Sequence, residues 1–456
     1  MKQLKLTFCS GVGTVTGANF LLQSEVTNIL VDCGLTQGSQ YANEENRKTF
    51  IYDPASINFL FVTHAHIDHI GRIPKLVRDG FKGTIYSTPE TKEIAELMLI
   101  DAAHILEFES KINGREPLYF EGDVRKALSL WQTIPYHTKK DFCTDFSAYL
   151  TDAGHVLGSS VIKFTYNNKN IVFCGDLGNS PAMLLKDTEF VSDADYLVID
   201  SVYGDRNHEN VLDADKKLEA IIKESIHKKG VLIIPSFSLE RTQVILYKIN
   251  NMIEDGVIES VPVYLDSPLA IKITEIYKRL SSETHFNDST RKDIAGGDKI
   301  FNFPKFKQIV RGEDSRAIVH APDPKIIIAG SGMSNGGRVV HHEAQYLPDP
   351  KNTVLLIGYQ GVGTMGRKLQ DGEHMIIIKG EHVSVRAQIK TITGYSAHKD
   401  SDHLVEFVEH TRDRVKKVFV VLGEPKSSLF LVQRLRDYID APAIYPEQGK
   451  VYDLLC

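Results

Sequence analysis

Thr63-His64-Ala65-His66-Ile67-Asp68-His69-Ile70-Gly71 sets three imidazoles and a carboxylate within six residues, directly behind the apolar run Phe59-Leu60-Phe61-Val62. An apolar run of that length reads as a buried strand, and the polar stretch behind it as the kind of loop on which a β-scaffold presents functional groups. Packing alone has no use for so many ligand-type side chains at this density. His64 and His66 can point into one site, while Asp68 and His69, a step further round the loop, can point into a neighbouring one. Imidazole with carboxylate suits zinc best, with manganese or iron as alternatives.

Working outward, three single residues extend the cluster. Asp32 ends the strand-like Asn28-Ile-Leu-Val-Asp32, His155 lies in Asp152-Ala-Gly-His155-Val-Leu-Gly158, and Asp176 follows the apolar Ile171-Val-Phe-Cys-Gly. Each alone would pass for a turn, capping or core residue; their order carries the weight. Strand-Asp, His-x-His-x-Asp-His, Gly-His and Gly-Asp, in that sequence, resembles the metallo-β-lactamase superfamily. The resemblance implies an α/β chain built as an αββα sandwich. It implies one metal on His64, His66 and His155, a second on Asp68 and His69, and Asp176 bridging the two. Asp32 would sit behind the ligands and orient them. Two Zn²⁺, or Mn²⁺ in their place, would activate a hydroxide that Asp68 helps to aim.

The first ~200 residues read as short strands joined by loops (Leu4–Cys9, Phe20–Leu22, Asn28–Asp32, Phe59–Thr63, Ser147–Asp152, Ser160–Tyr166, Asn170–Cys174, Tyr196–Asp200), with helices at Arg72–Asp79 and Pro89–Ile112. From Asn207 to about Gly380 the rhythm changes to strand alternating with helix, the mark of a parallel sheet with covering helices. Beyond it, Val383–Thr393, a helix at Ser401–His410 and the strand Val418–Leu422 are expected to rejoin the first domain.

That insertion narrows the resemblance to the β-CASP nucleases, the group of the polyadenylation-factor endonuclease and RNase J. It covers essentially the whole chain and implies three segments: 1–206 as the first part of the metallo-β-lactamase domain, 207–380 as the inserted βαβ (β-CASP) domain, and 381–456 as the returning part. Ile199-Asp200-Ser-Val-Tyr-Gly-Asp205 resembles the family's motif A, with Asp200 its key residue. Pro235-Ser-Phe-Ser-Leu-Glu-Arg241-Thr-Gln243, Asp266-Ser267-Pro268, Ser331-Gly-Met-Ser-Asn-Gly-Gly-Arg338 and Gly358–Arg367 resemble β-CASP elements. Tyr395-Ser-Ala-His398 resembles motif B, which implies that His398 touches the scissile phosphate or protonates the leaving oxygen, with Asp200 holding its imidazole. The third motif departs from the family: Val420-Val-Leu422-Gly-Glu-Pro425 has Leu422 where the family carries a further histidine ligand. Leucine cannot coordinate, so the second Zn²⁺ site is expected to be weak.

Ser331 follows a strand in a position to cradle a phosphate with backbone N–H groups. Arg338 and Arg367, with Arg241, Lys368 and Arg386, are the candidates for a basic substrate groove. Gly361-Val-Gly363-Thr-Met-Gly366 matches the dinucleotide fingerprint, but no acidic residue ends a suitably placed second strand, so these glycines either let the backbone approach RNA or merely turn, rather than form a nicotinamide site. His208 and the pair His341-His342 have no supporting ligands and read as surface residues.

A net charge of −6 over 456 residues argues against a protein that coats nucleic acid non-specifically. The objection weakens once Asp32, Asp68, Asp176 and Asp200 are set against two cations. No stretch approaches the ~20 apolar residues of a membrane span. The N-terminus alternates like a strand rather than like a signal peptide, and five scattered cysteines fit reduced thiols, so the setting expected is cytoplasmic. The function expected is hydrolysis of phosphodiester bonds in single-stranded RNA, leaving a 5′-phosphate and a 3′-hydroxyl. No membrane partner is expected, and a homodimer is left open. Two other readings share the motifs: a small ester, lactone or thioester hydrolase, which leaves the insertion unexplained, and a catalytically weakened RNA-binding relative, supported by Leu422 alone.

Overall fold

Period-two alternation sends Leu4, Leu6 and Phe8 to one face of the strand Gln3–Ser10, and Phe20 and Leu22 to the same face of its hairpin partner Asn19–Gln23, in the register Leu6 to Leu22 and Phe8 to Phe20. The computed structural model describes residues 3–38, 41–280, 285–439 and 442–455, so Cys456 lies outside the described residues. Among these, the chain forms two compact units: Met1–Ala182 with Asp187–Asn207 and His398–Cys456, and Met183–Lys186 with His208–Ala397.

The first unit holds two seven-stranded sheets. One runs in the order Val451–Leu455, Gln3–Ser10, Asn19–Gln23, Asn28–Val31, Phe59–Phe61, Thr84–Ser87, Trp131–Thr133. The other runs Ala443–Ile444, Lys417–Val421, Tyr196–Asp200, Lys169–Phe173, Ser160–Tyr166, Phe146–Asp152, Lys140–Asp141. Leu4, Leu6, Phe8 and Phe20 from the first meet Phe146, Ile162, Phe164, Phe173 and Phe419 from the second in one buried core. Side chains of this size each contribute about 1.5–3 kcal/mol when fully buried. The outer face of the second sheet, with Val172, Leu197 and Val418, is covered by Leu404 and Phe407 of the helix Ser401–Glu409 and by Leu431 and Leu435 of the helix Pro425–Tyr438. At the edge of the first sheet the helix Pro89–Asn113 is tied down by Lys92 Nζ, which donates to the Trp131 carbonyl at 2.7 Å. Helix, sheet, sheet and helix give the αββα layering.

Strand direction positions the candidate residues. Asn28–Val31 and Phe59–Phe61 run parallel, as do Lys169–Phe173, Tyr196–Asp200 and Lys417–Val421. Phe146–Asp152 is two antiparallel steps from Lys169–Phe173 and so runs the same way. Asp32, the His64–His69 loop, His155, Asp176, Asp200 and Leu422 therefore all lie at the carboxyl ends of like-directed strands, where α/β sheets bind ligands.

The second unit is built on a six-stranded parallel sheet in the order Phe306–Gln308, Val263–Asp266, Lys325–Ala329, Val231–Pro235, Thr353–Ile357, Gln388–Ile392. Helices such as Arg241–Glu254, Pro268–Arg279 and Val339–Tyr346 make the crossovers. The last strand differs from expectation. Gln388–Ile392 does not rejoin the first unit but pairs with Thr353–Ile357, whose edge would otherwise leave backbone donors and acceptors unpaired. No helix among the described residues is long and apolar enough to cross a membrane.

Candidate metal centre

The loop at Thr63–His69 is held from behind by Asp32. That residue has φ +58°, a left-handed conformation that an aspartate tolerates, and its side chain is wholly buried. Its Oδ1 accepts from the Thr63 backbone N–H at 2.8 Å, its Oδ2 accepts from the Thr63 hydroxyl at 2.8 Å, and Oδ2 lies 2.7 Å from His69 Nδ1. The last contact commits Nδ1 of His69 and leaves Nε2 to face Asp176 Oδ1 at 3.4 Å. Thr63 was not singled out in the sequence, yet its hydroxyl also lies 3.1 Å from His64 Nδ1, which turns His64 Nε2 inward. Gly34 makes the close packing of this loop possible, because a Cβ there would fall 1.5 Å from the Asp68 carbonyl oxygen.

Four ligand atoms converge. His64 Nε2 is 3.1 Å from His66 Nδ1, which is 3.2 Å from His155 Nε2. Asp176 Oδ2 lies 3.6 Å from His64 Nε2 and 3.5 Å from His155 Nε2. A regular tetrahedron with ~2.0–2.1 Å bonds to a central zinc has edges of about 3.3–3.4 Å. The donor set and its spacing fit a tetrahedral cation. A second group, Asp176, Asp200 and His398, also has ligand atoms within 4.8 Å of one another. It is more open: His398 Nδ1 is 3.8 Å from Asp176 Oδ2 and 4.0 Å from Asp200 Oδ2. Asp200 Oδ1 accepts from the Leu177 N–H at 3.2 Å, whereas its buried Oδ2 has no hydrogen-bond partner among the described residues.

His64 and Asp176 carry the charge states that cation binding requires. Burial, then the neighbouring charge of His69, holds His64 well below its usual pKa and therefore neutral. Burial opposes ionisation of Asp176, but His69, followed by His398 and His64, outweighs it and keeps that carboxyl well below its ordinary range. Burial raises Asp68 to about 6. It also holds Asp200 well above the usual carboxylate value, assisted by the charge of Asp176. Neutral imidazole beside ionised carboxylate, the state of His64 and Asp176, is what a metal ligand set needs; His69, held well above its usual pKa by Asp176 and Asp32 against burial, and Asp200 would each give up a proton to a cation.

Of the sequence-predicted ligands, His64, His66, His155 and Asp176 stand together, and His69 reaches them through Asp176. Asp68, expected as a ligand, lies in the first turn of the short helix Ile67–Ile70 and belongs to neither converging group. Leu422 turns its side chain into the core between the sheets, against Gly11, while its backbone bonds to Gly11 and Ser201.

In the second unit, the Arg338 guanidinium is engaged by Asp266 at 2.6 Å and by the carbonyls of Ile309 and Val310 at 3.0 and 2.6 Å. Arg367 pairs with Asp371 on the surface at 2.9 Å. The Ser331 hydroxyl accepts from the Asn335 N–H at 3.1 Å inside its own loop. His342, expected at the surface, is instead buried, its Nε2 2.7 Å from Asp266 Oδ2. The dinucleotide-like glycines form the turn between the strand Thr353–Ile357 and the short helix Met365–Gln370.

Three family profiles match successive parts of the chain. A family profile described as the metallo-β-lactamase superfamily matches residues 12–223, one described as the Beta-Casp domain matches 242–369, and one described as a Zn-dependent metallo-hydrolase RNA specificity domain matches 382–446. Ribonuclease TTHA0252 of Thermus thermophilus is 32% identical over 417 residues, covering 91% of this chain and 92% of that protein. Transcription termination factor FttA of Methanosarcina mazei is 30% identical over 444 residues, covering 94% of this chain and 68% of that protein. A solved structure titled as a protein of unknown function from Enterococcus faecalis superposes with a TM-score of 0.58 at 13% identity, covering 99% of this chain and all of the other, a likeness of fold alone.

Proposed function

The chain belongs to the metallo-β-lactamase superfamily, in the branch that carries a β-CASP domain, and on that premise we propose that it is a metal-dependent ribonuclease hydrolysing phosphodiester bonds of single-stranded RNA, with zinc as its metal. The observation that carries this reading is the tetrahedral spacing of His64, His66, His155 and Asp176, in a chain whose returning segment matches an RNA specificity domain. The composition, with its scattered cysteines, supports a cytoplasmic setting.

His64, His66 and His155 would hold the first cation, and Asp176 would face both. Asp32 fixes the orientation of His69, which with Asp68 would hold the second. When bound, such cations lower the pKa of water and offset the charge that builds on a phosphodiester in displacement. The chain's own residues do the rest. Asp68, beside His69, would also help to aim the attacking water. His398, its side chain 22% exposed, is the group able to reach an RNA phosphate or donate to the leaving 3′ oxygen, and Asp200 behind it limits how the ring can turn. The products expected are a 5′-phosphate and a 3′-hydroxyl.

The test is incubation of end-labelled single-stranded RNA with metal-stripped enzyme reconstituted with zinc or manganese. Cleavage with 5′-phosphorylated products is expected, and RNA left intact under both metals would overturn the reading. Leu422 gives a second, independent prediction. Elemental analysis after dialysis should find about one tightly held zinc per wild-type chain, rising toward two in Leu422→His, whose polar imidazole is disfavoured in the apolar core that Leu422 occupies. Equal stoichiometry in the two proteins would remove Leu422 from the metal centre.

A further inference from the structure

Lys399 follows His398 in sequence but goes elsewhere. It is 1% exposed, among the largest fully buried side chains of the chain. Its Nζ donates to the Ser180 hydroxyl at 2.9 Å, and its backbone N–H donates to the Leu177 carbonyl at 2.8 Å. Gly178 and His398 form an antiparallel bridge between those two bonds. The segment carrying His398 is thus laid strand-like against the one that begins at Asp176. Successive side chains of an extended segment point to opposite faces: His398 faces Asp176 and Asp200, and Lys399 enters the protein beneath.

Burying an ammonium costs several kcal/mol unless charge and hydrogen bonds offset it. The carboxylates of Asp187, Glu406, Asp200 and Asp400 face it in the first unit. A methionine would fill the same channel without that cost, so space filling does not account for the charge. Asp400 follows, its carboxylate capping the helix Ser401–Glu409 through the His403 N–H at 3.1 Å. His398 is therefore followed at once by a buried ion and a capped helix, and Gly178, bridged to it, packs so tightly that a Cβ there would fall 1.9 Å from the Gly154 carbonyl oxygen.

We propose that Lys399 is a positioning residue: its buried clasp to Ser180 sets where the His398 imidazole stands relative to Asp176 and Asp200. The inference rests on the ribonuclease reading only for its kinetic test. Lys399→Met keeps the stem and removes the charge and the hydrogen bond; Ser180→Ala removes the same bond from its other end and is the milder variant should Lys399→Met fold poorly. Each is expected to lower kcat on RNA by roughly tenfold to a hundredfold, the scale of a misplaced reacting group, with KM and bound zinc unchanged. In a His398→Ala background neither should lower kcat further, because nothing remains to be positioned. A purely structural role would add its loss in both backgrounds, and that additivity would refute the proposal.

A readout free of RNA separates its failure from failure of the functional reading. In protein labelled with ¹⁵N-histidine, the imidazole signals of His398, identified by their loss in His398→Ala, should shift in Lys399→Met and Ser180→Ala while those of His64 and His155 stay in place. Unshifted His398 signals in a folded variant refute the clasp even if wild type proves to cut no RNA.

Discussion

Asp176→Ala is expected to bind little or no metal and to cut RNA at least ~10⁴-fold more slowly than wild type, about 5 kcal/mol or more of lost transition-state stabilisation. The size follows from the position of one side chain. Oδ2 completes the tetrahedral set with His64 and His155 at 3.6 and 3.5 Å, while Oδ1 faces His69 Nε2 at 3.4 Å. Removing any one imidazole leaves three donors at the first position; on the bridging arrangement proposed above, removing Asp176 would take a donor from each cation and delete the anion that offsets their charge. Asp176→Asn should fare almost as badly, since an amide keeps the shape but not the charge. Folding should survive with a lowered thermal midpoint, because His69, His398 and His64 hold Asp176 ionised in the apoprotein and its loss leaves the buried His69 short of a counter-charge. Metal content by elemental analysis and the thermal midpoint of the apoprotein check the two halves. A variant that keeps its zinc and cleaves within tenfold of wild type would show that Asp176 bridges nothing.

How much of this was legible in the chain differs residue by residue. The His64–His69 loop declares itself because ligand density has no packing explanation. Asp32, His155 and Asp176 are individually ordinary and become readable only through their order behind apolar strands. What they do to one another was not legible. That Asp32 uses both oxygens on Thr63 and one on His69, or that Thr63 turns His64 inward, depends on loops brought together from sequence positions far apart. The same holds for His342, whose partner Asp266 lies 76 residues away, and for Lys399, since lysine is almost never buried and its neighbours give no hint. The strand Gln388–Ile392 was misassigned because alternation reports that a segment is extended, not which edge it will join. Likewise the pairing of Val451–Leu455 with Gln3–Thr7 ties the two ends of the chain together and carries no local signal.

His398→Ala should separate protonation of the leaving oxygen from simple grip on the phosphate. A positioned general acid contributes about 10²–10⁴-fold, so kcat on RNA should fall by that factor while zinc content stays at the wild-type value. The ring stands 3.8 Å from Asp176 Oδ2 and 4.0 Å from Asp200 Oδ2, beyond hydrogen-bond length, as acid–base groups often are before substrate tightens them. The ribose oxygen that leaves from RNA is a poor leaving group and needs a proton; a p-nitrophenyl phosphodiester departs without one. If His398 acts as the acid, the variant should lose far less on the nitrophenyl ester than on RNA. If His398 acts by holding the phosphate, both substrates carry that phosphate and the losses should match, with KM rising on each. Equal losses with unchanged KM would exclude both roles and leave the open group of Asp176, Asp200 and His398 to be read as a cation site in its own right. The distinction matters for Leu422 as well. If the second cation is weakly held because Leu422 stands where a histidine ligand was expected, less positive charge would offset the departing oxygen, and a proton from His398 would be the remaining means of doing so.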